Sequence, residues 1–142
     1  FVQSSVDIIE HLASKLSLEL NGYLFDMKTP DFNFNLKANS GVLTFGGLEQ
    51  LGGDIGPILD YLVEKKPKIC VHIEPIIELY DDKHLTDYLA IKFQSKRGYS
   101  SGLIKKVQEL ERKEKANIIK IKRLEFGSMM LEGYNLLVWE PV

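Results

Sequence analysis

The sequence predicts an α/β domain, and three patterns predict it. Two short apolar runs, Gly41–Phe45 and Lys68–Ile73, read as buried strands. Between them Ile55, Ile58, Leu59 and Leu62 recur at helical spacing. Strand, helix and strand within about 30 residues is the size of a right-handed crossover joining parallel strands. The tail alternates apolar and polar residues in Ile118–Arg123 and again toward Leu136–Trp139, which predicts a terminal antiparallel pair.

The remaining elements follow in order. Val6, Ile9, Leu12, Ala13, Leu16 and Leu20 mark a helix from Val6 to Leu20. Ser4 or Ser5 caps its start, and Asn21-Gly22 closes it. Tyr23–Asp26 reads as a short strand, and Met27–Asn39 is rich in turn residues. Leu48–Glu64 reads as a helix interrupted at Gly52-Gly53, with Asp54 capping the second part. Lys65-Lys66-Pro67 ends it. From Leu79 to Asn117 the chain is mostly helical. Leu85, Tyr88, Leu89 and Phe93 form the apolar side of one helix, and Gly98–Gly102 breaks it. Leu103, Val107 and Leu110 form the seam of the next, whose Lys105, Lys106, Glu109, Arg112 and Lys113 face water. A glycine-containing connection, Phe126–Tyr134, joins the two tail strands.

A chain of 142 residues predicts one domain, 1–142. A hydrophobic share of 44% and a charged share of 27% are ordinary for a globular protein. A net charge of −2 gives no basic footprint, so no nucleic-acid partner is expected. The single cysteine, Cys70, excludes an intramolecular disulfide and paired-cysteine metal spacing, and its apolar strand predicts a buried thiol in a reducing cytoplasm. No apolar run nears the roughly 18–20 residues of a membrane span, and no signal-peptide pattern is present. The expected location is cytoplasmic, without a membrane partner.

In open α/β sheets ligands sit at the carboxyl ends of the strands. Period-2 geometry puts Cys70, His72 and Glu74 on one face and Ile69, Val71 and Ile73 on the other. His72 and Glu74 form a candidate base and orienting partner, or two ligands of a metal for which no third is evident. The alternative for His72 is a hydrogen-bonded core imidazole. Glu78 and Tyr80 follow Pro75 closely. After Phe45, Gly46 and Gly47 allow backbone to approach a ligand, and Glu49 and Gln50 open the next helix. Asp26 is a candidate ligand acceptor, with turn formation as its alternative. Arg97, beside Tyr99, is a candidate clamp for an anion.

The succession Thr44-Phe-Gly-Gly-Leu-Glu-Gln-Leu51, Val71-His-Ile-Glu-Pro75, Glu78-Leu-Tyr80, Lys96-Arg97 with Tyr99, and Leu137-Val-Trp139 resembles the C-terminal part of a class I S-adenosylmethionine-dependent methyltransferase of sugar or small-molecule type. The resemblance covers most of the chain from Gly22 onward. It implies a partial Rossmann-like sheet, mainly parallel with a C-terminal antiparallel pair and helices on both faces. The family's full sheet runs 3-2-1-4-5-7-6 with strand 7 antiparallel. On that template Tyr23–Asp26 resembles strand 3, Gly41–Phe45 strand 4, Lys68–Ile73 strand 5, and the tail pair strands 6 and 7.

The resemblance implies S-adenosylmethionine as cofactor, contacted by Asp26, Phe45, Gly46 and Gly47. It implies His72 or Glu74 as general base, and Glu49, Gln50, Glu78, Arg97 and Tyr99 on the side of a small-molecule acceptor. The family's Gly-rich loop and ribose-binding acid have no counterpart here. The chain is therefore expected to be incompetent alone, and either to self-associate through an exposed edge beside strand 4 or to rearrange its strand order. The competing readings are a complete small α/β ligand-binding module and an assembly domain without catalytic activity.

Overall fold

A computed structural model of the chain describes residues 3–124 and 133–142. The described fold is α/β with a four-stranded mixed sheet. Helix α1 (Gln3–Leu16) leads through a long irregular segment into strand β1 (Gly41–Phe45). A 3-10 turn (Leu48–Leu51) and α2 (Gly56–Lys65) follow, then β2 (Ile69–Glu74). Next come α3 (Leu85–Arg97), α4 (Leu103–Arg112), β3 (Ala116–Arg123) and β4 (Asn135–Pro141). The sheet order is β1-β2-β4-β3. Only β1 and β2 are parallel; β4 runs antiparallel to both β2 and β3. The sheet is thus less parallel than expected. The predicted crossover and the terminal antiparallel pair are both present, while the expected connection Phe126–Tyr134 falls largely outside the described residues.

The core lies on one face of the sheet. Cys70, Leu137 and Trp139 from the strands meet Ile55, Ile58, Leu59 and Leu62 of the α2 region and Leu103, Ile104 and Val107 of α4. Burial alternates strictly along β2, with Cys70, His72 and Glu74 inside. On the opposite face Leu43 and Phe45 are exposed, Ile69, Val71, Ile73, Leu136 and Val138 are half-buried, and no residue is fully buried. The expectation of helices on both faces therefore finds a buried layer on one face only.

Five local expectations are corrected. α1 already includes Gln3, so Ser4 and Ser5 lie inside the helix and do not cap it. α1 ends at Leu16, short of Leu20, because Ser17 turns left-handed (φ 52°) and the Leu18 N–H reaches back to the Ala13 carbonyl at 2.9 Å. Gly22 is a close-approach residue instead of the cap: a Cβ there would stand 2.8 Å from Val6 Cγ1. Tyr23–Asp26 forms no strand. Its aromatic neighbourhood docks on α2, with Phe25 5.0 Å and Phe32 5.7 Å from the Tyr61 ring. Asp54 makes no cap for α2, whose N-cap is Ile55 without a side-chain hydrogen bond.

Helix α3 forms where expected but faces the other way. Asp87, Ala90 and Gln94 are buried, while Leu85, Tyr88, Leu89 and Phe93 are exposed. The Arg123 guanidinium holds Asp87 by two bonds of 2.6 Å, and the Asp81 N–H adds a third. That anchor fixes which side of the helix turns inward. No described helix is long and apolar enough to cross a membrane.

Candidate functional site

The site forms where β1 ends. The Gly46 N–H extends the ladder by one bond, to the Ile73 carbonyl at 3.0 Å. Gly46 then turns left-handed (φ 58°), and a Cβ there would press within 3.3 Å of the Tyr134 hydroxyl. Only glycine meets both demands. Next to it, the Phe45 and Tyr134 rings pack 4.6 Å apart. The Gly47 N–H donates to Glu74 Oε1 at 3.2 Å, tying the end of β1 to the end of β2. In the 3-10 turn, Gln50 Nε2 donates back to the Gly46 carbonyl at 3.3 Å.

Across from this turn, Asp26 closes a local loop. Its carboxylate accepts from the Thr29 hydroxyl at 2.7 Å and the Lys28 N–H at 2.8 Å. These bonds, the Thr29 one foremost, hold its pKa below the ordinary carboxylate value. Between the two segments lies a cleft of about 470 Å³. Asp26, Met27 and Lys28 line one side, and Phe45, Gly46, Gly47, Gln50 and Leu51 the other. Asp26, Phe45, Gly46, Gly47 and Gln50, singled out from sequence, are thus brought together. Met27, Lys28 and Leu51 were missed; their only signal was adjacency to the chosen residues.

His72 and Glu74 lie elsewhere. His72 is fully buried. The Trp139 indole N–H donates to its Nε2 at 2.8 Å, so that nitrogen carries a lone pair and Nδ1 carries the proton. Nδ1 lies 2.9 Å from Thr44 Oγ1, which accepts that proton's hydrogen bond. Burial pushes the imidazole pKa down to about 4. With both nitrogens engaged, His72 has the geometry of the core alternative and leaves no lone pair for a base. Glu74 is buried with Oε1 on Gly47, and its Oε2 has no hydrogen-bond partner among the described residues. It holds the turn and does not line the cleft.

The acceptor-side residues also separate. Glu78 Oε1 accepts from the Ile104 N–H at 3.2 Å and so caps α4. Arg97 lies over the Phe93 ring at 5.3 Å and the Tyr99 ring at 6.0 Å. The segment after it does approach the site: the Ser100 N–H donates to the Glu49 carbonyl at 2.7 Å, and its hydroxyl to the Leu48 carbonyl at 2.8 Å. Glu49 is thus part of the cleft's 3-10 turn without lining the cleft, and Tyr99 precedes the Ser100 that is bonded to that turn. The buried Cys70 thiol has its pKa pushed up to about 12 by desolvation, which keeps it protonated and inert. Among the described residues no three His, Cys, Asp or Glu side chains gather as a metal site. No protein-family model, curated protein or solved structure matches the chain.

Proposed function

We propose that this fold serves an S-adenosylmethionine-dependent methyltransferase acting on a small molecule or sugar, with the cleft after β1 as its cofactor side. One observation carries the reading. Asp26, Phe45, Gly46 and Gly47, which the family resemblance assigns to the cofactor, come from two separate segments and line the same cleft. The strand order β1-β2-β4-β3 with β4 antiparallel supports it, because the resemblance orders its strands 4-5-7-6 with strand 7 antiparallel.

The lining fits the ligand's chemistry. Phe45, Met27 and Leu51 offer apolar walls to a purine, and the Gly46-Gly47 backbone allows close approach. Asp26 is stabilised as a carboxylate and has lone pairs beyond its two internal bonds for an amino group. When bound, the cofactor supplies an electrophilic methyl on a sulfonium. The chain's part is orientation, since an in-line displacement gains most from fixed geometry. Glu74 contributes by holding the Gly47 N–H, and His72 by fixing Thr44 and Trp139. No described residue lining the cleft resembles the family's Gly-rich loop or ribose-binding acid, so turnover needs chain beyond these residues.

Titration with S-adenosylmethionine, followed residue by residue through backbone amide shifts, tests the reading. Saturable shifts centred on Asp26, Phe45, Gly46 and Gly47, with millimolar affinity, are expected. Shifts absent from these four at saturating ligand overturn the cofactor assignment. Micromolar binding with turnover by this chain alone overturns its incompleteness.

A further inference from the structure

Among the described residues strand β1 is an edge strand, and its geometry is self-complementary. The Ser40 carbonyl accepts from the Lys68 N–H at 2.8 Å, and the Gly46 N–H donates to the Ile73 carbonyl at 3.0 Å. Even-numbered backbone groups therefore face β2. The pleat turns the N–H and C=O of Gly41, Leu43 and Phe45 to the open side. No backbone hydrogen bond outside the β1–β2 ladder reaches these three among the described residues. Their side-chain positions are also the open ones, with Leu43 64% and Phe45 59% exposed. Gly41–Phe45 carries no charge. The opposite edge, β3, carries Lys120, Lys122 and Arg123, the kind of charge that guards an edge against pairing.

Independently of the methyltransferase reading, whose template sets a further strand at this edge, we propose that two copies of this chain by itself pair antiparallel through β1, about a two-fold axis at Leu43, joining their sheets into one. Leu43 then faces Leu43 of the partner subunit as a hydrogen-bonded pair. Phe45 faces Gly41 of the partner subunit, and Gly41 faces the partner's Phe45. Every outward N–H meets an outward C=O in this register, and a shift by two residues leaves some unpaired. The large Phe45 ring lies over the bare Gly41 backbone, a pairing that stabilises glycine in strands. No like charges oppose one another. A pairing this short falls below the about 1,000 Å² of a stable interface. The dimer is therefore weak and concentration-dependent.

Cysteine cross-linking tests the register. Cys70 is buried, so a new surface thiol reacts alone. In a hydrogen-bonded antiparallel pair the Leu43 Cα atoms stand about 5.5 Å apart, within disulfide reach. The Phe45 Cα atoms stand about 14 Å apart, four residues of strand rise. Leu43→Cys is expected to convert to a disulfide dimer under mild oxidation, and Phe45→Cys to remain monomeric. In sedimentation equilibrium the wild-type mass should rise with concentration toward twice the monomer. Leu43→Pro removes an outward N–H without touching the β2 ladder, and should stay monomeric with an unchanged circular dichroism spectrum. Leu43→Lys, which sets two like charges on the axis, should behave the same way. A wild-type monomer at all concentrations overturns the proposal. So does a Leu43→Cys chain that cross-links no faster than Phe45→Cys, or a dimer that survives both Leu43 variants.

Discussion

The covered face of the sheet holds an imidazole, a carboxylate and a carboxamide, in His72, Glu74 and Asn135, beside Cys70, Leu137 and Trp139. Across β1, β2 and β4 the opposite face is mainly apolar, with Leu43, Phe45, Val71, Ile73, Leu136 and Val138, while β3 adds Lys120 and Lys122 there; none of these is fully buried. Burial here follows where α2 and α4 dock, and residue type comes second. Partners meet these polar groups unequally: both His72 nitrogens are engaged, while Glu74 and Asn135 have one bond each and leave Glu74 Oε2 and Asn135 Oδ1 unmet among the described residues. An uncovered aliphatic face carries the opposite liability, a surface that favours association.

The contrast between the faces can be broken by mutation. Trp139→Ala empties the covered face and leaves His72 Nε2 without its donor. A loss of about 3–5 kcal/mol in urea unfolding is expected. Leu136→Ala, one position from Leu137 but on the other face, should cost about 1 kcal/mol or less. Equal losses at the two positions would erase the distinction.

A pH series sharpens it. His72 has a folded pKa of about 4, below the ordinary value near 6.5 for an unfolded histidine. Between those values the unfolded chain binds a proton that the folded chain does not, so stability rises with pH. The contribution is complete above pH about 6.5 and is lost as the pH falls through about 4, a span of about 3 kcal/mol. His72→Leu should flatten this window. A slope that survives the substitution would place the acid sensitivity elsewhere. The smallest effect belongs to α3, whose Leu85 is 72% exposed. Leu85→Gln should move the unfolding midpoint by no more than about 0.5 kcal/mol equivalent. A larger loss would mean that the outward face of α3 is covered in solution.

Strand positions were legible in the sequence because period-2 alternation is a local property. It placed Cys70, His72 and Glu74 on one face, and the Gly46-Gly47 turn needed no more than its glycines. The side of α3 was not legible. Its apolar stripe was present, but a long-range pair, Asp87 with Arg123, overrode it. Tyr23–Asp26 misled for a related reason: aromatic residues that favour strands also dock on a helix, and Tyr61 was there to receive them. Asp26, Phe45, Gly46 and Gly47, expected on the cofactor side, came together in one cleft, while His72, the most chemically suggestive residue, went into the core. Spacing could not reveal that an indole from the last strand would occupy its free nitrogen.

That indole has a mechanical consequence. Trp139 on β4, His72 on β2 and Thr44 on β1 form a chain of side-chain hydrogen bonds running crosswise to the strands. Ladder bonds join neighbours pair by pair, whereas this staple spans three strands at once. A shear on β1 is transmitted to β4 through rigid rings, so the strands resist sliding as a single plate. The loops at their ends keep a fixed spacing without needing to be stiff themselves.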